Sequence, residues 1–136
     1  MPDEAVWRDS RLSRSAFSVL VYGVYILLVG LMFLFFPNFF LGVLGMKTTS
    51  EVWVHIAGWF VIWLGIYYIV SARSESKAFI RTTVYGCPTF IVFLGALVLL
   101  GMIEPVILVF GAVDLATAIW TCWLIRLEKI DAAPIT

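Results

Sequence analysis

The sequence is poor in charged residues, cysteine and histidine, and each shortage argues against a class of function. Charged residues make up 13% of the 136 residues, and nine basic residues balance nine acidic ones. That neutral balance gives no electrostatic basis for nucleic-acid binding. The two cysteines, Cys87 and Cys122, form no Cys-x-x-Cys motif, and there is one histidine. We therefore predict no disulfide framework, no metal and no cofactor, and we find no catalytic or nucleotide-binding signature.

Apolar residues are abundant instead. They make up 62% of the chain, and the mean hydropathy is +1.03. A soluble domain of this length needs more polar surface, so lipid is expected to cover the outside. Four apolar stretches are long enough to cross a bilayer, at about 16–36, 52–71, 82–101 and 105–125. We predict an all-α fold, an antiparallel four-helix transmembrane bundle, as a single domain over residues 1–136.

The basic residues predict the orientation of this bundle. Three lie in the N-terminal arm (Arg8, Arg11, Arg14), three lie at 71–81 and two lie in the tail, whereas Lys47 alone lies in the other two connections. The positive-inside rule then predicts a multi-pass protein of the inner (plasma) membrane with both termini cytoplasmic. The connection at 37–51 is rich in Phe and Leu, so we expect it to lie along the opposite membrane surface or to cap the bundle.

The fourth stretch contains a carboxylate, Asp114. It lies nine residues from Pro105, or roughly 14 Å along a helix, which is near the middle of the bilayer. An aspartate there costs about 2.5–3.5 kcal/mol on insertion scales, so its side chain must face the bundle interior. We expect it to interact with at least one donor of similar depth, and the candidates are Tyr25, Trp59, Trp63 and Thr89.

Two interpretations of Asp114 stay open at this point. In one it binds a proton or a cation, or forms the polar end of a ligand pocket. In the other it forms interhelical hydrogen bonds that lock the bundle. Tyr22 and Tyr25 also lie deep in the first span, so their hydroxyl groups need partners within the bundle.

The second span contains His55, one turn from its start, and a stripe of Trp and Tyr residues. A histidine in a membrane helix is a candidate haem ligand, metal ligand or proton relay, but no second ligand has a matching spacing. We therefore predict an ordinary hydrogen-bonding side chain. The aromatic stripe indicates helix packing, with the alternative that it lines a pocket for a flat apolar ligand.

Glycines recur at a spacing of seven in the first two spans. Gly23 and Gly30 share one helix face, and Gly58 and Gly65 share another. Small residues let helix backbones approach closely. Four helices have no obvious internal use for all of this surface, so we predict a homo-oligomer or docking to a larger membrane complex.

The order of these features resembles a known family layout. Four short spans are combined with Pro-Asn-Phe-Phe at 37–40, with His-Ile-Ala-Gly-Trp at 55–59 and with Gly-Ala-Val-Asp at 111–114. In this layout the chain is similar to the small bacterial BphX-like and DoxX-like integral membrane proteins. The resemblance implies a four-helix bundle in a bacterial inner membrane, with some members encoded beside aromatic-degradation or redox genes. It assigns no functional residue.

Taken together, these features predict a non-enzymatic membrane protein. It would be an accessory subunit, or a binder of membrane lipid or of a small apolar ligand. The alternative is a small proton- or cation-coupled transporter or channel that uses Asp114. A third hypothesis is a membrane redox component that uses His55.

Overall fold

The structure is a computed structural model that describes residues 12–131, with side chains up to residue 129. It contains four long helices, α1 (Arg14–Phe35), α3 (Val52–Arg73), α4 (Lys77–Leu99) and α5 (Leu108–Asp131). A short helix, α2 (Pro37–Val43), follows α1, and one 3-10 turn (Pro105–Ile107) precedes α5. No strand occurs within the described range, and the predicted all-α four-helix bundle is confirmed. Arg8 and Arg11, which support the predicted orientation, lie outside it.

The four long helices are long and apolar enough to cross a membrane. At most 28% of the apolar window of any one of them is buried inside the bundle. Lipid must therefore cover most of their surface, because water would leave that apolar area exposed at a high cost. The protein is a multi-pass membrane protein.

Two helices extend beyond the apolar stretches that predicted them. The third span was expected from about residue 82, but α4 begins at Lys77, because the Ser76 hydroxyl caps it by accepting a hydrogen bond from the Phe79 N–H (3.4 Å). Likewise α5 continues past residue 125 to Asp131. Apolar runs mark the part of a helix that lies in lipid, whereas capping residues set where the helix ends.

The helices α1 and α3 meet through their glycines. A Cβ atom added to Gly30 would lie 2.6 Å from the Ile62 backbone nitrogen, and one added to Gly65 would lie 2.7 Å from the Leu27 nitrogen. Gly23 and Gly58 are equally close to the partner helix. All four glycines are thus used inside the bundle, so they no longer support the predicted oligomer, which stays a prediction.

The other hairpin joins α4 to α5, and α1 also packs along α5. In contrast, α3 and α4 make few contacts although they are consecutive. The rings of Tyr68 and Phe79 meet edge to face at 5.0 Å beside the turn that joins these two helices. Away from this turn a gap separates α3 from α4.

The connection between α1 and α3 covers one end of the bundle. The Phe40 ring contacts Phe33 of α1 at 4.9 Å and Phe110 of α5 at 5.7 Å. Residues of the 37–51 connection therefore cap the bundle, and their placement along the membrane surface stays a prediction. The other end of the bundle, where α1 begins, α3 turns into α4 and α5 ends, is called the terminal end below.

The glycine contact can be tested by adding single methyl groups. We expect Gly30→Ala and Gly65→Ala each to lower the unfolding free energy in detergent by about 1–3 kcal/mol, because the partner backbone must move. Gly95→Ala in α4 is the matched control, since no heavy atom lies within 4 Å of its Cβ position. Alanine favours a helix by up to about 1 kcal/mol over glycine, so this control should melt at the same temperature or higher. Equal melting temperatures for the three variants would contradict the contact.

Candidate functional site

A cavity of about 570 Å³ lies inside the bundle. Every helix contributes to its wall, and nearly all of the lining side chains are apolar or aromatic. Leu41, Leu44 and Met46 line it from the cap. Asp114 is the only charged residue in the lining. The size and the mostly apolar wall are typical of small-molecule sites.

The mouth of this cavity lies between α3 and α4. Leu64 and Phe90 line the cavity, yet they are 44% and 39% exposed. Gly86 lines it too, and no heavy atom lies within 4 Å of the position of a Cβ there. These residues are near the middle of their helices. The cavity therefore opens sideways to the lipid-facing surface.

Tyr22 and Asp114 form the polar end of the cavity. The Tyr22 hydroxyl donates a hydrogen bond of 2.6 Å to Oδ1 of Asp114 and so links α1 to α5. Both residues are buried, at 5% and 7% exposure. A hydrogen bond between transmembrane helices contributes about 0.5–2 kcal/mol, which offsets part of the cost of placing Asp114 in the membrane.

The second carboxylate oxygen of Asp114 is available to a ligand. Within the described part of the chain, Tyr22 is the hydrogen-bond partner of this carboxylate, through Oδ1. No fully buried polar side-chain atom of the described residues lacks a partner, so Oδ2 must reach the cavity surface. An oxygen of this kind, surrounded by apolar walls, can accept a hydrogen bond from a ligand or bind a cation.

Aromatic rings and small side chains surround this pair. The Tyr22 ring packs edge to face on Tyr68 at 5.0 Å and lies 6.0 Å from the Tyr25 ring. Cys87 and Ala118 pack against Tyr22 in the same buried cluster. A ligand that reaches Asp114 would thus contact ring faces and edges, which favour flat apolar groups.

The Tyr22–Asp114 bond is the innermost of three polar contacts between α1 and α5. Ser18 and Thr121 share a buried hydrogen bond of 2.8 Å between their hydroxyl groups. Closer to the terminal end, Glu128 accepts hydrogen bonds from the Ser15 backbone N–H (2.8 Å) and hydroxyl (2.7 Å). We call these three contacts the polar seam.

The polar seam follows a spacing that the sequence contains. Asp114, Thr121 and Glu128 are seven residues apart, so they lie on one face of α5. This series is not predicted from the sequence, because Glu128 lies beyond the apolar stretch that predicts the fourth span. Tyr22 is one of the deep hydroxyl groups expected to need a partner, and that partner is Asp114.

Three of the four predicted partners of Asp114 face away from it, namely Trp59, Trp63 and Thr89. Trp59 and Trp63 are 53% and 42% exposed, and their rings pack on each other on the outer surface of α3. The glycine face of α3 must point at α1, which turns these tryptophans outward. Thr89 is exposed and donates a hydrogen bond of 2.6 Å to the Gly86 carbonyl of its own helix. Tyr25 does line the cavity, but it makes no hydrogen bond to Asp114 in the described structure.

His55 lies apart from the cavity. Its Nδ1 donates a hydrogen bond of 2.7 Å to the Leu34 carbonyl, near the end of α1, where backbone carbonyls lack helical partners. This is the hydrogen-bonding role expected from the sequence. Among the described residues, no group of three His, Cys, Asp or Glu side chains is placed to hold a metal ion. Both cysteines are free, and Cys87 lines the cavity.

A comparison of the chain with protein-family models, curated proteins and solved structures found no match. The resemblance to BphX-like and DoxX-like proteins thus stays a prediction from layout.

The Tyr22–Asp114 bond predicts an unequal effect of two matched substitutions. Tyr22→Phe removes the donor to Asp114 and should lower the unfolding free energy in detergent by about 0.5–2 kcal/mol. Tyr25→Phe removes a neighbouring hydroxyl that does not bond Asp114 and should cost less than about 0.5 kcal/mol. Thermal melting followed by circular dichroism measures both.

A double-mutant cycle shows whether the loss belongs to the pair. In an Asp114→Leu background the acceptor is gone, so Tyr22→Phe should then cost little. Equal costs of Tyr22→Phe in the two backgrounds would mean that these side chains do not stabilise each other.

Proposed function

We propose that the protein is a non-enzymatic membrane protein that binds a small lipophilic molecule and takes it directly from the bilayer. The observation that supports this is the cavity of about 570 Å³, which has one carboxylate at its inner end. Its mouth lies between α3 and α4 at the depth of the lipid chains. A ligand dissolved in the membrane would enter there without crossing water.

The lining indicates the chemistry of the ligand. The apolar and aromatic wall favours a molecule that is mostly hydrocarbon and has a flat part. Oδ2 of Asp114 accepts one hydrogen bond, so the ligand would carry a donor such as a hydroxyl group at one end. An acidic ligand is disfavoured, because two carboxylates would meet in an apolar cavity.

The alternative is proton- or cation-coupled transport through Asp114. The polar seam favours it, because Ser18–Thr121 and Ser15–Glu128 continue the polar contacts from Asp114 to the terminal end. Transport requires Asp114 to be reached from that end as well, whereas ligand binding requires only the mouth. The seam is interrupted by Ala118, which is 2% exposed. This favours binding.

The redox hypothesis has the least support. His55 lies outside the cavity lining, and its Nδ1 donates a hydrogen bond to a backbone carbonyl.

A role as an accessory subunit is compatible with ligand binding, and the partner would be a larger membrane complex or a second copy of this chain. The exposed aromatic residues of α3 (Trp59, Trp63, Tyr67) offer a surface for either.

Ligand binding can be tested with a pair of probes that differ in one hydroxyl group, 1-naphthol and naphthalene. In lipid nanodiscs that contain the protein, we expect saturable binding of both, with 1-naphthol bound roughly tenfold more tightly through Asp114. Equilibrium dialysis of radiolabelled probe against empty nanodiscs corrects for partition into lipid.

Two variants assign the binding to the cavity and to the carboxylate. Gly86→Leu should fill the mouth and abolish saturable binding. Gly95→Leu is the control, because Gly95 is an equally unhindered glycine of α4 that does not line the cavity, and this variant should keep saturable binding. The double variant Tyr22→Phe/Asp114→Leu replaces both polar partners by apolar groups, so it should fold and bind both probes equally. Saturable binding that persists in Gly86→Leu would exclude this cavity as the site.

For the location of the protein we propose the inner membrane, with both termini cytoplasmic. The eight-to-one distribution of basic residues supports it. In a Cys87→Ala/Cys122→Ala background, an impermeant thiol reagent added to intact cells should label Ser50→Cys but not Ser74→Cys. Both serines are exposed, and they lie at opposite ends of the bundle. The reverse labelling pattern would invert the proposed orientation.

A further inference from the structure

A second cavity, of about 620 Å³, lies at the terminal end of the bundle. The start of α1, the start of α4 and the last turns of α5 line it. It is separate from the cavity at Asp114, because Glu128 lies fourteen residues further along α5, or roughly 21 Å. The charged lining residues are four basic ones and two acidic ones: Arg14, Lys77, Arg81, Lys129, Glu75 and Glu128.

The two carboxylates of this cavity hold the start of α1. Glu75 accepts a hydrogen bond from the Ser13 backbone N–H, and both oxygens of Glu128 accept hydrogen bonds from Ser15. These groups belong to the N-terminus of a helix, where backbone donors need partners and negative charge is favoured. The carboxylates thus have a structural role, and the basic side chains of Lys77, Arg81 and Lys129 lie in the same lining.

The depth of the cavity matches the headgroup layer of a bilayer. The helices α1 and α4, which are long and apolar enough to span a membrane, begin at Arg14 and Lys77, before the apolar stretches that start at about residues 16 and 82. The cavity wall is not purely polar, because Leu12, Ile80 and Ile125 form part of it. A binding group here would meet the basic side chains of Lys77, Arg81 and Lys129 beside apolar side chains. A phospholipid has a phosphate group for the basic side chains and hydrocarbon for the apolar ones. A free phosphate ion would make no contact with the apolar side chains of the lining.

We propose that this cavity binds the phosphate group of an anionic phospholipid. Basic pockets between transmembrane helices are suited to such headgroups. The basic side chains of Lys77, Arg81 and Lys129 favour a headgroup with a net negative charge over a zwitterionic one, because both carboxylates that could bind a choline group already hold α1. A bound lipid would join the ends of α1, α4 and α5.

The test compares two double variants that change the net charge equally. Lys77→Gln/Arg81→Gln removes two basic residues of the cavity lining, and Arg73→Gln/Arg126→Gln removes two exposed basic residues near the same end that do not line it. Delipidated protein in detergent is titrated with phosphatidylglycerol or phosphatidylcholine, and native mass spectrometry measures the lipid bound. We expect phosphatidylglycerol to bind more tightly than phosphatidylcholine to the unaltered protein. Lys77→Gln/Arg81→Gln should lower the affinity for phosphatidylglycerol roughly thirtyfold. The control pair should lower that affinity by less than threefold.

Further arms identify the source of the phosphate and exclude misfolding. Circular dichroism without added lipid should give both double variants the same melting temperature, within about 2 °C of the unaltered protein. Inorganic phosphate or glycerol 3-phosphate should not displace phosphatidylglycerol at millimolar concentration. Displacement by either would assign the site to a soluble phosphate and overturn the lipid proposal. An equal loss of affinity for phosphatidylglycerol in both double variants would show a general surface-charge effect and overturn the proposal. An unchanged affinity in Lys77→Gln/Arg81→Gln would show that this cavity is not the site, which also overturns it.

Discussion

Direct backbone contact between α1 and α3 is the constraint on which the rest of the bundle depends. With Gly23, Gly30, Gly58 and Gly65 at the interface, these two helices approach more closely than side chains would allow. Since α1 also packs on α5, the close approach draws α3 towards α1 and away from α4. The cavity and its sideways mouth occupy the space that results. Any larger residue at these glycines would change the shape of the cavity as well as the stability of the hairpin.

The polar seam supplies a second constraint, on rotation. An apolar helix in lipid has nearly the same free energy whichever of its faces packs against its neighbour, because lipid chains are as apolar as leucine. Hydrogen bonds between α1 and α5 remove that freedom, since each polar group that turns towards lipid loses its partner. Asp114 contributes one oxygen to this seam and leaves the other at the cavity surface. The structural and the functional interpretations of this residue are therefore compatible, because they use different atoms.

Composition and periodicity were sufficient to predict the all-α bundle, since four apolar runs in lipid have few other solutions. Depth along a helix was also predictable, because each residue adds a fixed rise. Rotation was not. Trp59 and Trp63 have about the depth expected for partners of Asp114, yet the glycine face of α3 turns them outward. The cavity could not be predicted either, because the separation of α3 from α4 depends on how closely α1 and α3 approach each other. The spacing of Asp114, Thr121 and Glu128 was a signal that pointed to the α1–α5 contact.

The same packing indicates where the bundle can open. The glycine contact holds α1 to α3, and the polar seam holds α1 to α5, but α3 and α4 are held together mainly near their turn, where Tyr68 meets Phe79. Pro88 lies in α4 beside the mouth and has no backbone N–H to bond the Val84 carbonyl, so that helix is weakened at this level. Movement of the part of α4 beyond Pro88 would widen the mouth without breaking the α1–α3 glycine contact or the seam, but it must keep or shift the close contact between Ile91 of α4 and Gly111 of α5. A lipophilic molecule would then enter between α3 and α4, which are consecutive helices that make few contacts with each other.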